Sequence, residues 1–301
     1  MKPVKSILVV VDRSPSAADA VRKAVLLARA AGSRVELFMC DAERGYSLSQ
    51  AYVPTGVEQA RQACLIDSRR HLEMLMRMAN ADDLAITIDV ACESPLYESI
   101  VKKVMRDRPD LVIKNVAGAL NRFDVTDWQL MRACPATLLL TRGRQWRSPP
   151  QFAAAVDASG GESAGLLSDI LESGHNLTAL TGGQLSVLYA ESTELPDRER
   201  EAGTRNLHEH VNRLPAKAAA VHVLAGNPEA SLPGFAKRHS YDAMLLGALT
   251  HRPGVTSQVG TLTSRLVELL ECDFLLVKPR TYQSHVGEVY DRPNSSARIG
   301  A

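Results

Sequence analysis

Between Gly247 and Thr263 the chain reads Gly-Ala-Leu-Thr-His-Arg-Pro-Gly-Val-Thr-Ser-Gln-Val-Gly-Thr-Leu-Thr, after a short apolar run and before a stretch of helical period. A strand, a small-residue loop and a helix start in that order can receive an anion. Glycines such as Gly247 and Gly260 let the backbone approach a charged group, while the next helix supplies unpaired N–H groups and a favourable dipole. Thr261 and Thr263 add hydroxyl donors, and Arg252 adds charge. The chemistry implied is holding a phosphate rather than transferring it, because no P-loop lysine or water-activating group stands beside the loop. The alternative is an ordinary strand-to-helix turn. No Ser-His-Asp order, paired carboxylates or nucleophile elbow can be picked out elsewhere. His208 and His210, two apart on a predicted helix, point to different faces and make a poor metal pair. Cys134 and Cys272 read as small buried hydrophobes, with redox sensing the lesser reading. Met74, Met76, Met78, Met105 and Met131 read as core filling, and Trp128 and Trp146 as packing anchors.

The elements that must position this loop occur twice. Ile7 to Val11, closing on Asp12-Arg13-Ser14, has a counterpart at Phe152 to Val156, closing on Asp157-Ala158-Ser159. Val90 to Pro95 followed by Pro109 to Ile113 matches Val223 to Pro228 followed by Tyr241 to Leu246, and both halves end on a Cys before an apolar run. Short apolar runs alternate with helical segments, the pattern of a parallel sheet with crossover helices. Predicted strands are Ile7–Val11, Arg34–Met39, Ala85–Ala91, Leu111–Lys114 and Thr137–Leu140, then Phe152–Val156, Leu185–Tyr189, Ala219–Leu224, Ala243–Leu246 and Phe274–Val277. Ser16 and Gly32 bracket the first helix, and Pro95 and Pro228 open the third helix of each half. The expected division is 1–146, 150–280 and a polar tail at 281–301. Asp157 and Asp12 each end a strand, where an Asp also serves as a turn or cap residue.

Composition narrows the partners. The 301 residues carry 35 Lys and Arg against 34 Asp and Glu, which removes the whole-molecule electrostatic argument for nucleic acid or an anionic membrane. Five dispersed cysteines, none in a C-x-x-C pair, argue against a disulfide scaffold or zinc ribbon and fit a reducing compartment. The apolar run at Ile7 stops at Asp12, too soon for a signal-peptide core, and no apolar run is long enough to cross a bilayer, so a cytoplasmic protein is expected.

On these residues the chain resembles the universal stress protein family in its tandem form. Gly247, two residues, Thr250, nine residues, Gly260 and Thr261 keep the spacing of that family's nucleotide-binding signature, with Thr250 in place of a second glycine. Asp12, Asp157, the Gly226-Asn227-Pro228 turn, the Thr126–Arg132 segment and the closing Cys272–Pro279 extend the resemblance over residues 5 to about 285. It implies an α/β fold of two tandem, doubly wound, five-stranded parallel-sheet domains, adenine nucleotide alpha hydrolase-like, packed as a pseudo-dimer. Carried over by position, Asp157 would contact the adenine or ribose, Val223 and Gly226 would line the base pocket, and Gly247, Thr250, Arg252, Gly260, Thr261 and Thr263 would surround the phosphates of ATP or AMP with Mg²⁺. The first half departs: Asn115 is followed by one glycine and by Asp124 and Asp127, which would repel a triphosphate. A stress-tolerance role without ordinary catalysis is implied, with protein partners and a homodimer allowed. The competing class is a module that binds another protein or an apolar metabolite and no nucleotide; a flavin-type electron carrier is disfavoured by 5% aromatics, none of them in the loop.

Overall fold

The computed structural model describes residues 4–49, 56–116, 122–160, 165–191, 195–215, 219–250 and 258–286. All five residues of β1 (Ser6–Val10) are buried, as an unbroken apolar run must be when helices cover both faces of a sheet. In α1 (Ala17–Ala31), Ala17, Ala20, Ala24 and Ala28 are fully buried, and their small side chains let the helix lie close to the strands. There follow β2 (Arg34–Cys40), α2 (Ala42–Ser49), α3 (Val57–Met78), β3 (Ile86–Ala91), α4 (Leu96–Asp107), β4 (Leu111–Asn115), α5 (Val125–Ala133) and β5 (Thr137–Thr141). The second half runs β6 (Gln151–Ala155), α6 (Leu166–Thr181), β7 (Gln184–Glu191), α7 (Asp197–Asn212), β8 (Ala219–Ala225), α8 (Pro228–His239), β9 (Ala243–Gly247), β10 (Leu249–Thr250), β11 (Gln258–Val259), α9 (Thr261–Leu269) and β12 (Asp273–Val277).

Strand order is β3-β2-β1-β4-β5-β12-β9-β6-β7-β8. Read from each outer edge inward, the two halves use the same order. Every pairing in this sheet is parallel except the central one, where β5 and β12 run antiparallel with Leu138, Leu139 and Leu140 opposite Leu276, Leu275 and Phe274. The two five-stranded units therefore join edge to edge in one ten-stranded sheet, which covers an edge that each would otherwise expose. One face packs α1, α3, α6 and α7; the other packs α4, α5, α8 and α9, and each core runs through both halves.

Polar groups fasten the seam. Asp273, 1% exposed, sits 2.7 Å from Lys23, which is also 2.6 Å from Asp19. The same carboxylate accepts from the Trp146 indole at 2.7 Å and the Arg142 amide at 2.8 Å, so Trp146 is a hydrogen-bonding post as well as a packing anchor. Arg142, leaving β5, donates to the Val267 carbonyl in α9 at 2.5 Å, and Lys278, leaving β12, donates to the carbonyls of Arg132 (2.9 Å) and Cys134 (2.5 Å) at the end of α5. Each cation thus serves the last turn of the other half's helix, where the dipole favours positive charge.

Three expectations change. Met131 of α5 is fully buried, but Met105 of α4 is exposed, and so are Met74 and Met78, because α3 turns Cys64, Ser68, Leu72 and Leu75 inward and leaves these two methionines outside. The loop after β9 is not uniformly open: β10 and β11 pair antiparallel, Leu249 with Val259 and Thr250 with Gln258. The tail is not wholly detached, since Tyr282 donates its hydroxyl to the Arg132 carbonyl and Val286 is buried.

Candidate functional site

In a doubly wound sheet the crevice lies at the carboxyl ends of the strands where the order reverses. In the second half that point is between β6 and β9, since β6 is followed outward by β7 and β8 and the chain then returns to β9. Asp157 comes off the end of β6 and Gly247 ends β9 beside it. One Asp157 oxygen, Oδ1, accepts from the Ser159 amide at 2.8 Å and the Ser159 hydroxyl at 2.5 Å, which fixes the turn. Oδ2 has no partner among the described residues and is available to a ligand hydroxyl or amine.

Gly260 is the N-cap of α9, with no side-chain cap among the described residues and no acidic residue in the first turn. Thr261 stands exposed at the first helical position. The first amides of a helix lack internal partners. Thr250 lies in β10, paired with Gln258 of β11. Thr263 takes a different part from the one expected: it is buried, and its hydroxyl donates to the Gly247 carbonyl at 2.8 Å, locking α9 to β9 rather than facing a phosphate. Arg252 lies outside the described residues.

The base side is wider. Val223, 39% exposed, is on the edge strand β8 opposite Tyr189 of β7, and Gly226 ends that strand at φ 109°, a conformation that favours glycine. Its amide donates to the Glu191 carbonyl at 3.0 Å, and Asn227 then caps α8 through the Glu229 amide at 2.8 Å. β7 lies between β6 and β8, so Asp157 and Val223 are two strand spacings apart, about 10 Å. Between them lies Tyr189. It is 2% exposed, its hydroxyl has no hydrogen-bond partner among the described residues, and burial first, then Asp157 and Glu191, push its pKa up. A Cβ on Gly203 of α7 would come within 2.5 Å of that hydroxyl, so this glycine is required for the helix to pass over the ring. Asn206 of α7 donates to the Ala158 carbonyl at 2.9 Å and ties the helix to the Asp157 turn.

The same crevice in the first half is filled by the protein itself. Asp12 and Ser14 repeat the Asp157 turn, with Asp12 Oδ1 accepting from the Ser14 amide at 2.8 Å. Asn115 stands where Gly247 stands, and its amide donates across the switch point to Asp12 Oδ2 at 2.9 Å and Ser14 Oγ at 2.8 Å. The start of α5 carries a capping box: Asp124 accepts from the Asp127 amide at 2.8 Å and Asp127 from the Asp124 amide at 3.0 Å. Asp127 is fully buried and 2.7 Å from Lys114, while burial pushes its pKa up. A carboxylate of the chain therefore occupies the helix end that α9 leaves uncapped.

Other groups are committed elsewhere. His208 and His210 bond the Thr204 and Asn206 carbonyls of their own helix at 2.8 and 2.9 Å. A cavity of about 580 Å³ lies at the opposite end of the strands, lined by Arg144, Trp146, Arg147, Tyr241 and Asp242, where Arg147 pairs with Asp242 at 2.9 Å and Arg144 with Glu271 at 3.4 Å. Among the described residues no helix is long and apolar enough to cross a membrane.

Residues 3–142 match the model of the universal stress protein family. Two curated relatives extend the likeness to almost the whole chain: universal stress protein E of Escherichia coli K12, 23% identical over 95% of this chain and 98% of that protein, and its Haemophilus influenzae homologue, 24% identical over 91% and 97%. The first half of the chain thus matches a universal stress protein domain, and the chain as a whole is similar to proteins named universal stress protein E. Two solved structures share its fold over nearly full length. One is a functionally unknown protein from Pseudomonas aeruginosa, with TM-score 0.73, 21% identity and coverage of 95% of this chain and 96% of that one. The other is a universal stress protein from Archaeoglobus fulgidus, with TM-score 0.69, 12% identity and coverage of 91% and 98%. The two halves thus repeat one fold, with crevices that differ at their switch points.

Proposed function

We propose that this chain is a tandem universal stress protein that binds one adenine nucleotide, ATP or AMP, in the β6/β9 crevice, and that the first half serves a structural role. Phosphates would lie over Gly260 and Thr261 at the start of α9, beside Gly247, Thr250 and Arg252, and the nucleoside would extend toward Asp157, Val223 and Gly226. Mg²⁺ would arrive with the phosphates. The observation that carries this reading is the contrast within one chain: α5 is capped by Asp124 and Asp127, whereas α9 has, among the described residues, neither a side-chain cap nor an acid in its first turn. The role is ligand-linked stress tolerance in the cytoplasm, by binding rather than turnover, with protein partners or a second copy as recipients of the signal.

Melting curves with ATP, AMP, FMN and no ligand test the reading. A ligand at a hundred times its dissociation constant stabilises by about 2.7 kcal/mol. ATP or AMP should raise the midpoint and FMN should not, and Gly260→Asp, which puts a carboxylate at the helix start, should erase the shift. Identical curves for all ligands would favour the protein-interaction module instead.

A further inference from the structure

The three cysteines of the first half that are far apart in sequence meet at the carboxyl ends of its outer strands. Cys40 ends β2, Cys92 follows β3, and Cys64 projects from α3. All three are buried as free thiols. Cys64 Sγ lies 3.0 Å from Cys92 Sγ, so about 1 Å of closure would reach the length of a disulfide. Cys40 is engaged separately, donating to the Glu93 carbonyl at 3.3 Å. Arg44 of α2 pairs with Asp67 at 3.1 Å, one turn along α3 from Cys64.

We propose that Cys64 and Cys92 are a modification site, a dithiol that closes to a reversible disulfide when the protein meets a hydroperoxide. The Cys64 sulfur gives up its proton as it attacks one peroxide oxygen. The O–O bond breaks, an S–O bond forms, and the other oxygen leaves as water. The Cys92 sulfur then displaces that oxygen: the S–S bond forms, the S–O bond breaks, and the oxygen departs with a proton as a second water. Two thiols and one hydrogen peroxide give one disulfide and two waters; sulfur loses two electrons and the peroxide gains them. Burial first, then Cys64 itself, push the Cys92 thiol up to about 12, which makes Cys92 the second partner in the sequence, acting through proximity. Because both sulfurs are buried, small peroxides should react and bulky thiol reagents should not. The bridge would pin α3 to the segment after β3 and lower the entropy of the unfolded chain.

The test uses the full chain, treated with hydrogen peroxide, denatured, alkylated and mapped without reduction. Two of the five thiols should resist alkylation, one cross-linked peptide should join Cys64 to Cys92, dithiothreitol should restore both, and the melting midpoint should rise by roughly 5–10 °C. Cys92→Ala, a small apolar change, and Cys64→Ser should each abolish the cross-link, while Cys40→Ala should keep it. Five alkylatable thiols after treatment, a cross-link between other cysteines, or oxidation ending as sulfinic acid on a single cysteine would overturn the proposal. None of these outcomes depends on whether nucleotide binds the second half.

Discussion

Gly247→Asn would carry the first half's plug into the second half. Asn115 and Gly247 each end the fourth strand of their half, so the change asks the backbone for nothing that β4 does not already show. In the first half the Asn115 amide donates at 2.9 Å to Asp12 Oδ2 and at 2.8 Å to Ser14 Oγ. The introduced amide would meet Asp157 and Ser159 in the same relation. A hydrogen bond to a charged group is worth about 1.5–3 kcal/mol, and a nucleotide that uses Asp157 must displace it. The expected loss of affinity is therefore about 10- to 150-fold, before any steric conflict is added. Titration calorimetry with AMP on the purified variant measures it, with the ligand-free melting midpoint as the check that the fold is intact. An unaltered dissociation constant in a variant with wild-type stability would falsify the claim that an open Gly247 position distinguishes the two crevices.

Three further outcomes follow from the packing. Lys23→Met leaves Asp19 and Asp273 buried without their shared cation, and should cost about 3–5 kcal/mol in denaturant unfolding; a change below 1 kcal/mol would show that the seam does not rest on this ion cluster. Gly203→Ala drives a methyl toward the Tyr189 hydroxyl and should cost about 1–3 kcal/mol, and the displaced ring should also weaken AMP binding; stability and binding equal to wild type would contradict the close passage of α7. Burial holds Lys278 down to about 7 from an ordinary 10.5, so between those values the unfolded chain binds more protons than the native one. Stability should accordingly rise with pH from 7 toward 10, and the gain should shrink in Lys278→Met; equal pH slopes in the two proteins would refute it.

The strands were legible because each central one is a run such as Ile7 to Val10, buried on both faces, and the duplication was legible because Asp12 and Asp157 close those runs alike. The antiparallel union of β5 and β12 was not, since Thr137–Thr141 and Asp273–Val277 carry nothing in their apolar pattern that names a partner. The loop's role as a strand-to-helix turn was visible in its glycines, but the commitment of Thr263 to Gly247 depends on how α9 settles over β9, which local spacing does not encode. In the sequence Asn115 marks only where the glycine loop is missing, and the approach of β1 and β4 makes it a plug. Cys40, Cys64 and Cys92 share no short motif, because a β-α-β crossing brings them together.

The most direct measurement is hydrogen–deuterium exchange with and without AMP, read at the starts of the two equivalent helices. Slowed exchange at residues 260–264, with residues 124–128 unchanged, is the expected result. Equal protection at both helices, or protection at the first alone, would contradict the assignment of the ligand to the uncapped crevice.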